Sequence, residues 1–389
     1  MIIITNFLRA TALVVLIVAL SACAALNDFL APLSESDVGV AEIPPPEARP
    51  RLKPINPNYF VLESSEQTVI GEPQIVFTEE DNTFSDLARE YGLGYDELVD
   101  ANPAVDPWLP GDGTRVILPT QYVLPDVPRE GIVLNIASKR LYYFPPKEEG
   151  QPQTVMTYPI GIGRVGWQTP LGSSTVVYKA QDPHWYVPAS VRKEHKELGD
   201  QLPAVVPPGP DNPLGGHVLK LGIPGYLIHG TNKPYGVGMR VSHGCVRLYP
   251  ENIELLYDLV DVGEPVTIIN EPFLAGWKNG HIYFEGHVPL EDDEVSIEQR
   301  LINILEKIEI LANEKQTNFD LDQMRMAANA MLGVPVILAG GAPEALLARA
   351  RVIENTVEPD PDLLAMAEVR AILDAPLEET EKDGGVANE

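Results

Sequence analysis

The 389-residue chain reads as a mainly β domain, preceded by a small βααβ unit and followed by a helical region. Three observations predict this order. Between residues 130 and 272, β-branched and aromatic runs alternate with Gly/Pro-rich turns. Residues 76–120 carry two short helical patterns between strand-like runs. From Ser296 onward the apolar residues recur at helical spacing instead.

The chain starts with a targeting pattern. Arg9 and the free amine form a thin basic region, and Ala10 to Ala22 is uncharged and largely apolar, too short for a membrane span. Leu20-Ser21-Ala22-Cys23 then matches the bacterial lipobox, so residues 1–23 are expected to be a signal peptide with Cys23 as the lipidated residue. Residue 24 is Ala rather than Asp, which favours an outer-membrane anchor facing the periplasm. Residues 24–75 read as a tether. Pro44, Pro45, Pro46, Pro50, Pro54 and Pro57 favour extended polyproline geometry and a semi-rigid spacer.

In residues 76–120, Thr83 is placed to cap a helix with Asp86 in its first turn. Phe84, Leu87, Ala88 and Tyr91 follow at i, i+3, i+4 and i+7, and Gly92 ends the pattern. A second helix is expected from about Asp96 to Asn102, stopped by Pro103, and Arg115 to Pro119 is a closing strand. With Asn82-Thr83-Phe84, Asp96-Glu97-Leu98, Asn102-Pro103 and Pro110-Gly111, this unit resembles a LysM domain, a resemblance that implies binding to the glycan of peptidoglycan or chitin.

In residues 130–272, Ile132 to Ile136 and Leu141 to Phe144 predict a hairpin. Ser174 to Tyr178 and Pro265 to Ile269 are further strands, and Pro207 to Pro213 is loop. Pro250 to Leu259 reads as a helix with Leu255, Leu256 and Leu259 on its apolar face. Residues 273–357 are expected to be a partly helical extension. Ile297, Leu301, Ile304, Leu305, Ile308 and Leu311 mark one helix, with Ser296 and Gln299 as a capping box, and Ala342 to Asn355 marks another. Residues 358–389 read as an acidic, disordered tail.

Charge narrows the partners. The formal net charge is −28, and residues 291–389 hold 22 acidic against 8 basic side chains. Phosphate repels such a chain, so nucleic acid is excluded as a partner.

The chemistry concentrates on Cys245. With Cys23 acylated it has no disulfide partner, and a free thiol in an oxidising envelope is a liability unless it is used. A thiol attacks a carbonyl as thiolate and needs a base. His243 lies two residues away, on the same side if the segment is extended, and His229 lies sixteen residues upstream. Either is a candidate base. Gly244 allows close backbone approach to a substrate. A zinc site from Cys245, His243 and His229 lacks a fourth ligand at metal spacing, so no metal or cofactor is expected.

His229, then Ser242-His243-Gly244-Cys245, is the signature that residues 131–289 share with the L,D-transpeptidase catalytic (YkuD) domain, which this stretch closely resembles. Tyr158 to Gly163, Thr169 to Gly172, Gly225 to Thr231 and Val246-Arg247-Leu248 extend the likeness. The resemblance implies that Cys245 is the nucleophile and His229 the general base, oriented by the Gly230 carbonyl. It implies support from His243 and Ser242, and an oxyanion hole from the amides of Gly244 and Cys245. Many members carry Asn two residues after the cysteine. Here Arg247 stands there, and its guanidinium suits a carboxylate of a stem peptide. The loop Asp182 to Tyr186 is expected over the site, with His184 and Trp185 as candidate substrate contacts.

The implied reaction cleaves the bond between the L-centre of the third stem residue and D-Ala in a peptidoglycan tetrapeptide, through a thioester at Cys245. The acyl group then passes to an amine: a neighbouring stem, a lipoprotein lysine or a free D-amino acid. Hydrolysis, giving a carboxypeptidase or a hydrolase of lipoprotein links, uses the same nucleophile. A non-catalytic wall-binding lipoprotein is the remaining alternative.

Overall fold

The computed structural model describes residues 49–147, 149–338, 349–361 and 363. The expected signal peptide with Cys23, the first half of the expected tether and nearly all of the expected acidic tail lie outside the described residues. Among the described residues, no helix is long and apolar enough to cross a membrane.

Residues expected in the tether instead form strands: β1 (Tyr59–Val61), β2 (Val69–Gly71) and β3 (Gln74–Phe77). The proline cluster ends at Pro57, and the apolar pairs that follow have sheet partners to bury against. Next come α1 (Phe84–Glu90), α2 (Tyr95–Ala101) and β4 (Arg115–Leu118), with β3 and β4 antiparallel, so the βααβ order is present. Thr83 caps α1 with a reciprocal capping box to Asp86. β5 (Gln121–Val123) then pairs with β2.

The central domain supplies β6 (Gly131–Asn135), β7 (Arg140–Phe144), β8 (Thr154–Pro159), β9 (Ile162–Gly163), β10 (Gly172–Gln181), β11 (Trp185–Tyr186), α3 (Ala189–Glu197), β12 (Val205–Val206), β13 (His217–Leu221), β14 (Leu227–His229), β15 (Arg240–Ser242), β16 (Val246–Arg247), α4 (Pro250–Leu259) and β17 (Pro265–Ile269). A nine-stranded sheet runs β1-β8-β7-β6-β17-β10-β13-β14-β16. β6 and β7 are the predicted hairpin, and β10 pairs antiparallel with β17.

Period-2 alternation explains how this sheet is covered. Ile132, Leu134, Leu141 and Tyr143 pack on one face with Ile253 and Leu256 of α4. Val133, Tyr142 and Phe144 point to the other face and join Phe84, Leu87 and Leu98 of the βααβ unit in a single core. With both faces buried, all five residues of β6 and of β7 are buried. The βααβ unit is therefore a layer packed on the central sheet rather than a bead on a string. In α4 the buried positions are Asn252, Ile253 and Leu256, whereas Leu255 and Leu259 are exposed. The sheet lies one helical position away from the face that the leucines suggested.

A polar staple joins the two layers. Arg140 of β7 is wholly buried, and its Nε and Nη2 donate to the two Glu97 carboxylate oxygens at 2.7 and 2.8 Å. Nη1 donates to Thr157 Oγ1 and Nη2 also to the Gly92 carbonyl, both at 3.2 Å, while the guanidinium lies 4.1 Å from the centre of the Tyr122 ring.

The C-terminal region is partly helical, as expected, with strands at both ends. It opens with the hairpin β18 (Phe273–Lys278) and β19 (His281–Gly286). Asn279 and Gly280, with φ of 50° and 83°, make the turn. Helix α5 (Ile297–Glu314) follows with the expected Ser296 cap, then α6 (Leu321–Ala330), capped by Asp320. Both pack on the hairpin through Phe273, Phe284, Leu301, Ile304, Ile308 and Met324. Short strand β20 (Val336–Ile337) adds to β19. Of the expected helix Ala342 to Asn355, residues 342–348 lie outside the described residues. Arg351–Val352 is instead strand β21, parallel to β3. Beyond it, Asn355 Nδ2 donates to the Phe77 carbonyl, and Thr356 Oγ1 to Glu90, so the chain straps the βααβ unit.

Candidate active site

Cys245 sits at the far edge of the nine-stranded sheet. β14 and β16 run parallel, with Ile228 opposite Val246 and His229 opposite Arg247. Alternation puts Cys245 and Arg247 on one side of their strand, the side that His229 shares across the ladder. The residues that carry the thiol, the imidazole and the guanidinium therefore share one face. The backbone of Arg247 is locked from its other flank, exchanging N–H···O bonds of 2.8 and 2.9 Å with Gly161.

The His229 ring is buried, and its Nδ1 lies 2.6 Å from the Gly230 carbonyl oxygen. A carbonyl only accepts, so Nδ1 carries the proton and Nε2 is left with a lone pair. Burial and the nearby Arg247 charge push the His229 pKa down to about 3, against a smaller pull upward from the Gly230 and Leu214 carbonyls. At neutral pH the ring is uncharged. Gly230 sits in a tight place: a Cβ there would lie 3.1 Å from Ile253 Cγ2 and 3.3 Å from the Leu214 carbonyl, so either neighbour would have to give by a few tenths of an ångström.

The Cys245 thiol is half-buried, and its Sγ is 3.7 Å from the Gly225 carbonyl. Burial raises its pKa, while the Leu227 backbone N–H and the Arg247 charge lower it. The resting pair is thus neutral thiol and neutral imidazole, with one positive charge beside both.

A turn delivers the cysteine. Gly244 has φ +101°, and a Cβ there would come within 2.9 Å of the Tyr226 ring. Ser242 closes the turn from within: its Oγ donates to the Cys245 carbonyl at 2.6 Å and accepts the Gly244 N–H at 3.1 Å. The Gly244 amide, expected with that of Cys245 to line an oxyanion hole, donates to the Ser242 hydroxyl inside the turn. Thr169, which sequence reasoning did not single out as a site residue, ties this turn to β9. Its Oγ1 donates to the Gly244 carbonyl at 2.9 Å and accepts the Gly163 N–H at 3.1 Å.

His243 is engaged elsewhere. The bend at 243–244 breaks the extended geometry that would have aligned it with Cys245. Its Nε2 is 2.8 Å from Glu194 Oε2 of α3 and 3.1 Å from Arg164 Nη2, and Arg164 also pairs with Glu194. The Trp167 ring meets it edge-on at 4.9 Å. Glu194, Arg164 and Trp167 were not found by sequence reasoning, and partners 49 and 79 residues distant leave no local signal. Trp185 is half-buried on β11, paired with Val206 of β12, and His184 beside it is exposed. Among the described residues, Trp185 makes no ring contact with the Cys245 cluster.

Arg247 completes the geometry. It is half-buried, its Nε has no hydrogen-bond partner, and among the described residues it forms no ion pair. Burial lowers its pKa. One terminal nitrogen lies against Gly236, where a Cβ would approach to 3.0 Å.

Residues 129–268 match the model of the YkuD family, the L,D-transpeptidase catalytic domain. The described probable L,D-transpeptidase YcfS of Escherichia coli K12 is 38% identical over 289 residues, spanning 73% of this chain and 89% of that protein. YbiS of the same strain, described likewise, is 39% identical over 284 residues, spanning 72% of this chain and 91% of that protein. ErfK/SrfK of Salmonella typhimurium, again so described, is 38% identical over 280 residues, or 71% and 89% of the two chains.

Proposed function

The chain belongs to the L,D-transpeptidase family, and from that premise we propose that it acts on peptidoglycan stem peptides with Cys245 as nucleophile and His229 as base. The observation that carries this reading is the His229–Gly230 hydrogen bond beside Cys245. It leaves Nε2 as the acceptor on the face where the thiol stands.

The steps balance on these two side chains. His229 Nε2 takes the Cys245 proton as sulfur bonds to the carbonyl carbon of the third stem residue. The oxyanion draws on the Cys245 N–H, since the Gly244 N–H is held by Ser242. The C–N bond to D-Ala breaks as the imidazolium returns its proton to the leaving nitrogen. An acceptor amine then attacks the thioester, gives a proton to His229, and expels the thiolate, which is reprotonated. His243, held by Glu194 and Arg164, supports the turn rather than taking the proton. Trp185 on the β11–β12 ribbon contributes a wall of the substrate cleft.

The acceptor is the amine of a neighbouring stem, giving a 3–3 crosslink, or a lipoprotein lysine. The βααβ unit, as a LysM-like layer, touches the glycan, and acylated Cys23 holds the enzyme to the outer membrane on its periplasmic side. Anchoring raises its effective concentration at the wall.

The test is intact-mass spectrometry of the protein incubated with disaccharide-tetrapeptide. The expected result is an adduct equal to the donor minus D-Ala, mapped to Cys245. An adduct on another residue, or none while iodoacetamide still alkylates Cys245, would overturn the reading.

A further inference from the structure

Resting on that reading of Cys245, we propose that Arg247 docks the terminal α-carboxylate of the leaving D-residue, so that donors are selected by where the stem ends. The geometry is specific. Arg247 stands opposite His229 in the β14–β16 ladder, and Cys245 is two residues before it on the same side. The imidazole must reach the leaving nitrogen to protonate it. In an amino acid the carboxyl carbon lies two bonds, about 2.5 Å, beyond that nitrogen. A guanidinium adjacent to the imidazole is therefore adjacent to that carboxylate.

The protein leaves the guanidinium short of partners. Arg247 has an unpaired Nε and, among the described residues, no acidic side chain to neutralise it. Burying a cation without a counter-ion is costly, and a carboxylate accepting two parallel N–H bonds is the ligand that best relieves it. The groups facing it are the His229 ring, the Cys245 thiol and the Tyr235 phenol; burial favours the neutral form of the ring and of the thiol, and no carboxylate stands among them.

Selection is then coupled to chemistry. Burial first, and the unneutralised charge of Arg247 second, hold the proton affinity of His229 down. A bound carboxylate cancels that charge, and the imidazole becomes a better base just when a correctly terminated donor is in place. A stem one residue longer puts an uncharged amide beside Arg247 and leaves the base weak.

A diamino acid at the third position also carries a side-chain carboxylate, and the experiment separates the two sources. Steady-state kcat/KM is measured for the full chain with three donors: the tetrapeptide acid, its C-terminal carboxamide, and the acid amidated on the third-residue side chain. Wild type is expected to favour the acid over the carboxamide on the order of 100-fold, with the side-chain amide close to the acid. Arg247→Gln is expected to collapse the acid-to-carboxamide ratio to within about threefold, and Arg247→Lys to hold an intermediate value, the point charge lacking the fork. The wild-type comparison stands even if a variant folds poorly. The proposal is overturned if wild type does not discriminate against the carboxamide, if it rejects the side-chain amide instead, or if folded Arg247→Gln keeps the wild-type ratio. Failure of all three donors to acylate a thiol that iodoacetamide still labels would sink the transfer reading itself, a separate result.

Discussion

Two arginines in the same sheet are treated in opposite ways. Arg140, in β7, is fully enclosed, and Glu97, Thr157, the Gly92 carbonyl and the Tyr122 ring surround its guanidinium. Arg247, in edge strand β16, is half-buried, with an empty Nε and no ion pair among the described residues. Arg140 staples the βααβ layer to the catalytic layer, and its partners are on separate elements that must come together for it to be buried. Arg247 stands beside two catalytic candidates with donor capacity unspent. A saturated buried charge is architecture. An unsaturated one beside the candidate nucleophile is what the proposed carboxylate contact would use.

The contrast can be broken in several places. The largest expected effect is on chemistry alone: Cys245→Ala should reduce transfer on the order of 10⁴-fold or more, with the melting temperature nearly unchanged, because the thiol packs at an edge. Muropeptide analysis and a thermal melt check both halves. The next tests the staple. Glu97→Ala leaves the Arg140 charge buried and unpaired and should cost roughly 3–5 kcal/mol in denaturant unfolding. Alkylation of Cys245, which makes no contact with the staple, should proceed at its normal rate in the folded protein. If Glu97→Ala costs less than about 1 kcal/mol, the staple is not what joins the layers.

A third prediction concerns pH. The folded His229 pKa, pushed down to about 3 by burial and the Arg247 charge, lies below the ordinary imidazole value of 6.5. The unfolded chain therefore binds more protons between these values, and stability falls as pH drops from about 6.5 towards 3. His229→Gln, uncharged throughout, should flatten that part of the curve. An unchanged slope in the variant would show that other groups dominate it. The smallest effect is on the surface. Arg89 and Glu251 pair across the same layer boundary as Arg140 and Glu97, at 3.0 Å, but are nearly half exposed. Glu251→Gln should shift stability by at most about 1 kcal/mol. A loss comparable to that of Glu97→Ala would erase the distinction between a buried staple and a surface pair.

Much of this was legible in the chain. The β6–β7 hairpin, the capped helix α1 and the long helix α5 follow from local periodicity and caps. The signature around His229 and Cys245 names the residues that the ladder brings to one face. What escaped was of two kinds. Some signals were local but outweighed: Asn279-Gly280 is a strong hairpin turn, and Asp320 a good cap, yet the helical rhythm after Ser296 dominated the reading of the C-terminal region. Others had no local signal. Strand β1 exists because Phe60 lies opposite Val155, and the Gly244 amide is spent because the Ser242 hydroxyl turns inward. His243 looked like a neighbour of the thiol until the bend at Gly244 and the reach of Glu194 gave it other partners. Partner sets of this kind are properties of the fold, not of a window of sequence.

The central claim is that Cys245 forms a thioester that an amine resolves. Its most direct test is to incubate the purified protein with disaccharide-tetrapeptide and weigh the muropeptides produced. The account predicts a dimer lacking one D-Ala, absent with Cys245→Ala. Tripeptide as the sole product, with no dimer even when stem or lipoprotein amines are added in excess, would contradict it and make the enzyme a hydrolase.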